Sequence, residues 1–219
     1  MTRRKFILST LALGAVGFAG AAWWFKNQQL ISENVLLAAK DNEALIRPYS
    51  PIIGDKDAPV TIVEFFDPAC EACRAFHPIV KNILTEYGKS VRIVIRYTAF
   101  HGEASQVAVR YLEAARMQGI FEQVLDALLI AQPQWASHGR MRPELIASIA
   151  QSAGLELGKA RSQIRAPQTA GVLIQDSKDV QTLGIRQTPT FFVNSIQLEP
   201  LSEARLRDEI SKAVAEISE

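Results

Sequence analysis

Cys70 and Cys73 are the only cysteines in the 219-residue chain, and they follow closely on an apolar run with strand character, Val60 to Phe66. Asp67 and Pro68 end that strand, and a helix opening near Cys70 would place both sulfurs on its first turn. There the unpaired backbone N–H groups and the helix dipole favour a thiolate over a thiol. Such a position can draw a cysteine pKa from about 8.5 into the range of roughly 3.5 to 7.5. The pair reads as a reactive dithiol, and the rest of the chain as the structure that holds and presents it.

At this length, with 48% hydrophobic residues, the chain can bury a full core and needs no disulfide to hold it together. The formal charge is +1, and Arg3, Arg4 and Lys5 supply positives before a segment with no acids. Nothing beyond them resembles a polyanion-binding face, so nucleic acid is not an expected partner. Phe6 to Phe25 then run without a charge, long enough for an export signal or for one membrane anchor over residues 1–25. Ala19-Gly20-Ala21 offers a small-residue cleavage site, whereas Trp23-Trp24-Phe25 would suit the interfacial belt of a retained anchor. The opening Thr2-Arg3-Arg4-Lys5-Phe6 also resembles a twin-arginine export signal. On every version the basic end stays in the cytoplasm and the cysteines face a periplasmic or other extracytoplasmic, oxidising space. Contact with the membrane would come through this segment if it is uncleaved.

Residues 26–50 read as a helical linker, with Leu30, Ile31, Leu37 and Leu45 near helical spacing and Pro48 and Pro51 ending it. The domain proper is expected over 51–219. After the cysteines, Ala75 to Tyr87 keeps helical periodicity, Pro78 marks a kink and Gly88 closes the helix. Val91 to Tyr97 is β-branched and partly alternating, a strand. Two strands joined by such a helix imply a parallel βαβ unit. About 102–185 is then a helical insertion in which no strand is expected. Thr190 to Val193 and Ile196 to Leu198 form a hairpin turning on Asn194-Ser195, and Ser202 caps a last helix.

This order resembles the thioredoxin fold with a helical insertion, as in the DsbA-like thiol:disulfide oxidoreductases. The resemblance rests on Val63-Glu64-Phe65-Phe66, Cys70-Glu71-Ala72-Cys73 and Thr188-Pro189-Thr190-Phe191-Phe192-Val193, and it covers roughly Pro51 to Ser218. It implies an α/β fold and an enzyme that exchanges disulfides with cysteine-containing protein substrates. Its cofactor would be nothing beyond its own redox-active Cys70–Cys73 disulfide, and a membrane redox protein would recycle it. Cys70 would be the exposed nucleophile and Cys73 the buried resolving partner. Pro189 would be a cis-proline facing them, with Thr188 close to Cys70. Glu64 would be a buried acid that relays the proton of Cys73. Where strongly oxidising members carry proline and histidine between the cysteines, this chain has Glu71 and Ala72. Both should raise the Cys70 thiolate pKa and make a weaker oxidant, with Arg74 offsetting part of the change.

The same residues allow other readings. Cys70, Cys73 and His77 could ligate zinc or copper, with His101 or His138 completing the set. Alternatively the helical block could be a partner-docking module, with the dithiol incidental. A covalent haem would need histidine at position 74, which Arg74 excludes.

Overall fold

The apolar runs on either side of the cysteine helix pair as neighbours at the centre of a five-stranded sheet. The computed structural model describes residues 43–137 and 140–217; the expected signal or anchor, most of the linker and His138 lie outside them. Strand β2 (Val60–Phe66) lies parallel to β3 (Val91–Tyr97), with Val60 opposite Val91 and Phe66 opposite Tyr97. Helix α1 (Glu71–Tyr87) joins them, so the expected βαβ unit is present. Strand β6 (Thr190–Val193) runs antiparallel to β2, with Glu64 opposite Phe191, and β7 (Ile196–Gln197) closes that edge. Asn194 and Ser195 turn the hairpin with φ of 45° and 72°, and the Asn194 side chain accepts a hydrogen bond from the Thr61 N–H at 3.1 Å. Central strands buried on both faces read as continuous apolar runs, which accounts for the uninterrupted Val-Ile-Phe character of β2 and β3.

Two features depart from the sequence reading. Ile52–Gly54 forms a further strand, β1, antiparallel to β3 at the opposite edge. Between β3 and β6 the chain is helical, but it also contains a two-residue ladder, β4 (Ala136–Ser137) against β5 (Arg140–Met141). Stretches of two or three residues carry no readable alternation.

The inserted block holds α2 (Glu103–Met117), α3 (Phe121–Ile130), α4 (Gln132–Trp135), α5 (Ile146–Ser152), α6 (Leu157–Gln163) and α7 (Pro167–Thr182). Val109, Leu112, Val124, Leu128, Trp135 and Ile146 are buried together with the β2 and β3 side chains in one core. Helix α8 (Glu203–Glu216) follows, with Ser202 Oγ accepting from the Arg205 N–H at 3.2 Å as a helix cap does. Among the described residues no helix is long and apolar enough to cross a membrane.

Residues 44–50 pack on the other side of β3. Arg96 is wholly buried there and donates to Asp176 at 2.8 Å and Asp179 at 2.6 Å, both on α7, and to the Ala44 carbonyl. Arg47 and Tyr49 join the same two carboxylates at 2.7 Å each.

Candidate active site

Cys70 occupies the cap position of α1 with extended backbone (φ −81°, ψ 124°), and Glu71 begins the helix. The chain turns there because the Cys70 N–H donates to the Asp67 carbonyl at 3.0 Å, while the Arg74 N–H donates to the Cys70 carbonyl at 3.1 Å. Cys70 Sγ therefore meets the N–H groups of Ala72 and Cys73 in the first helical turn, whereas the expectation of the same for Cys73 is not met, since its sulfur faces the Asp67 N–H before the helix. Phe76 on α1 packs against Phe191 on β6, ring centroids 5.6 Å apart, and Cys73 is buried in the core beneath. Cys70 is less open than the resemblance implies, at 8% exposure.

The bond between Thr188 and Pro189 is cis. The Thr188 carbonyl lies 3.3 Å from Cys70 Sγ, which donates to it in this dithiol state. Thr188 and Pro189 thus sit beside Cys70 in space, 118 positions away in sequence. Glu64 lies mid-strand on β2 at 3% exposure, not on an edge. Glu71 is exposed in the first turn of α1.

Electrostatics separates the two thiols. The Cys70 thiol is pulled down to about 5, chiefly by a hydrogen bond from the Cys73 thiol; burial opposes the shift, and the Thr188 side chain and the backbone N–H groups of Cys73 and Ala72 add to it. The backbone at Ala72 supplies what its side chain cannot. The expectation that Glu71 and Ala72 raise this value meets a site already drawn into the middle of the reactive range. Burial pushes the Cys73 thiol far up, helped by its hydrogen bond to Cys70 and by the charges of Glu64 and Cys70. Burial, and then the Cys70 charge, raises Glu64 to about 8 from its ordinary 4.5.

A carboxyl raised in this way supports the fold fully below its unfolded value and loses that support as pH climbs through the folded one. Glu64→Gln should therefore gain stability relative to the parent protein as pH rises from about 4.5 to about 8. Denaturation midpoints across that window check this; a constant difference between the two proteins would refute it.

Two residues at the dithiol were not legible as site residues. The Asp67 N–H faces Cys73 Sγ at 3.5 Å, and the buried Asp67 carboxylate gathers donors from three segments. Gln132, wholly buried on α4, donates to the carbonyls of Pro68 at 2.8 Å and Cys70 at 3.0 Å. Asp67 left one faint signal: an Asp-Pro-Ala run is a side-chain turn in prospect, and Asp67 Oδ1 does accept from the Ala69 N–H at 2.8 Å. Gln132 left none.

His77 and His101 have partners other than the sulfurs. His77 Nε2 meets Asp126 at 2.6 Å, an aspartate that also takes Lys81, and His101 Nδ1 meets Asp67 at 2.7 Å. Among the described residues no three His, Cys, Asp or Glu side chains are grouped to hold a metal ion.

A family model described as thioredoxin matches residues 47–212. A Na(+)/H(+) antiporter of Salinispora tropica is 35% identical over 144 residues, 64% of this chain, and the chain spans only 21% of that protein's length. A Rickettsia conorii protein, named a protein-disulfide oxidoreductase, is 26% identical over 205 residues, which is 89% of this chain and 68% of that one. Among solved structures, a thioredoxin-like oxidoreductase from Silicibacter pomeroyi matches with a TM-score of 0.68 at 29% identity, covering 78% of this chain and 96% of that chain.

Proposed function

Since the chain belongs to the thioredoxin family, with a dithiol at the mouth of α1, we propose that it is an extracytoplasmic thiol:disulfide oxidoreductase acting on cysteine-containing proteins through Cys70 and Cys73. The observation that carries this reading is the split between the thiols: Cys70 drawn down to about 5 beside a buried Cys73 driven the other way. One sulfur is a thiolate at neutral pH and the other a proton-holding reserve, which is what sequential exchange requires. The names of the Rickettsia and Silicibacter relatives support the same activity. The transport named for the antiporter is not carried across, because the match covers so little of that protein.

In the reducing direction the Cys70 thiolate attacks a substrate disulfide; a Cys70–substrate disulfide forms, and the departing substrate sulfur takes a proton from water. Cys73 then yields its proton to Glu64, whose raised affinity suits that transfer near neutral pH. Its sulfur attacks Cys70 Sγ, the Cys70–Cys73 disulfide closes, and the second substrate sulfur leaves as a thiolate. Oxidation of a substrate dithiol runs the same steps backward. Thr188 and the cis Pro189 present backbone beside Cys70, where an extended substrate segment can pair. No cofactor beyond the cysteine pair is called for, and a membrane redox protein would reset the pair after each turnover. The uncharged run from Phe6 to Phe25 supports the extracytoplasmic placement.

A depressed thiolate stabilises the dithiol form and makes the disulfide more oxidising than an unactivated pair. With Cys70 near 5 rather than at the lower end of the reactive range, roughly 3.5, the protein is expected to be a weaker oxidant than the strongest of its kind. Two measurements test the function. The reduced protein should accelerate the thiol-driven reduction of insulin, and thiolate absorbance should titrate with a midpoint near 5. Insulin reduction at the background rate, or a midpoint near the ordinary thiol value of 9, would remove the reading.

A further inference from the structure

The peptide unit between Phe66 and Asp67 is fixed from both sides. Its carbonyl accepts from the Thr98 N–H at 2.8 Å, and its N–H faces Cys73 Sγ at 3.5 Å. The carbonyl of Asp67 itself takes the Cys70 N–H at 3.0 Å. Its side chain is clamped as well. Oδ1 accepts from the Ala69 N–H at 2.8 Å and from Ser105 Oγ at 2.6 Å. Oδ2 accepts from the N–H groups of Phe100 at 2.8 Å and His101 at 3.1 Å, and from His101 Nδ1 at 2.7 Å. A carboxylate only accepts, so Nδ1 is the donor in this contact. One buried residue thereby ties the cysteine loop to the segment after β3 and to α2.

We infer that Asp67 is a positioning residue for the second half of the exchange: its clamped N–H steadies the charge that gathers on Cys73 Sγ as this sulfur attacks. The inference rests on the oxidoreductase reading above. A donor already aimed at the atom where charge develops needs no reorganisation during the reaction, and in a water-excluded setting it acts more strongly than in solution. Burial makes charge on Cys73 costly, so this step depends on a fixed donor more than the attack by Cys70, which starts as a thiolate. In the step itself the Cys73 proton passes to Glu64, the Cys73–Cys70 bond forms, the Cys70–substrate bond breaks, and the electron pair leaves on the substrate sulfur. Asp67 makes or breaks no bond; its peptide plane is held while the others change. His101, at 38% side-chain exposure, is the outer member of the clamp.

Ellman's reagent separates the two halves, since one thionitrobenzoate leaves when Cys70 attacks and a second when Cys73 resolves the adduct. Asp67→Asn keeps the shape but turns an amide N–H toward groups that are themselves donors, and it should slow the second release relative to the first by about tenfold. His101→Ala should slow it by about threefold, and His101→Asn, whose amide N–H reaches the place of Nδ1, should restore it. A purely structural role would lower stability without moving the ratio of the two phases or being rescued by asparagine. An unchanged ratio in Asp67→Asn overturns the inference, and so does an equal effect of His101→Ala and His101→Asn. If Asp67→Asn does not fold, the half-exposed His101 pair decides alone. A parent protein that releases only one equivalent would instead bring down the oxidoreductase reading.

Discussion

Cys70→Ser is expected to abolish disulfide exchange, leaving insulin reduction at its uncatalysed rate, while Cys73→Ser is expected to halt midway. A serine oxygen cannot form or accept the mixed disulfide, so none of the remaining support for the site can compensate. Cys73→Ser keeps the sulfur that attacks and loses the one that resolves. Non-reducing electrophoresis after incubation with an oxidised cysteine protein reads the outcome. Cys73→Ser should accumulate a covalent adduct that reductant dissolves, and Cys70→Ser should form none. An adduct on Cys70→Ser alone would reverse the assigned roles of the two sulfurs.

The second large effect is on stability. Arg96 is the common partner of Asp176 and Asp179, and its guanidinium also stands 5.6 Å from the centre of the Phe65 ring. Burial pushes the Asp179 carboxyl up, but hydrogen bonds from Arg47 and Arg96 outweigh it and hold the group below its ordinary range. Arg96→Met would take the guanidinium from Asp176 and leave it Tyr49 and the Tyr97 N–H, at 2.7 and 2.8 Å. Removing one partner from a buried ionic group typically costs about 3–5 kcal/mol, because an uncompensated charge stays behind. For a chain of this size, that lowers the melting temperature by roughly 6–20 °C. Replacing the arginine and both aspartates together by apolar residues of similar volume should cost much less. Calorimetry on both variants compares them; equal losses would mean that packing, not charge, governs this region.

Residues whose signal is local were legible in the sequence. The runs Val60 to Phe66 and Val91 to Tyr97 announce two central strands because both faces are buried, and Gly88, with φ of 53°, ends the helix between them. Cys70 and Cys73 stand out because they are nearly contiguous, whereas Thr188 and Pro189 are marked only by the family resemblance. Glu64 stands out because a charge interrupts an apolar run. What was missed is made by distance. Asp67 meets Phe100, His101 and Ser105 across 33, 34 and 38 positions, and Gln132 meets Cys70 across 62. Neither contact leaves a periodic trace. The depression of Cys70 follows from its place at the helix start; what the sequence does not weigh is the Cys73 thiol, its largest cause, against Glu71 and Ala72. Strand β1 escaped because three residues on an edge, one of them glycine, have too little room to alternate.

Gln132 and Ser105 reach from the helices into the cysteine loop, and α7 supplies the acids that receive Arg96. The block between β3 and β6 is accordingly not an ornament that could be excised to leave a smaller working enzyme. A shortened chain with a tight linker in its place would take Gln132 from the carbonyls of Pro68 and Cys70, unmoor the carboxylate of Asp67 and strand a guanidinium in oil. Miniaturising this protein would have to begin by rebuilding those attachments.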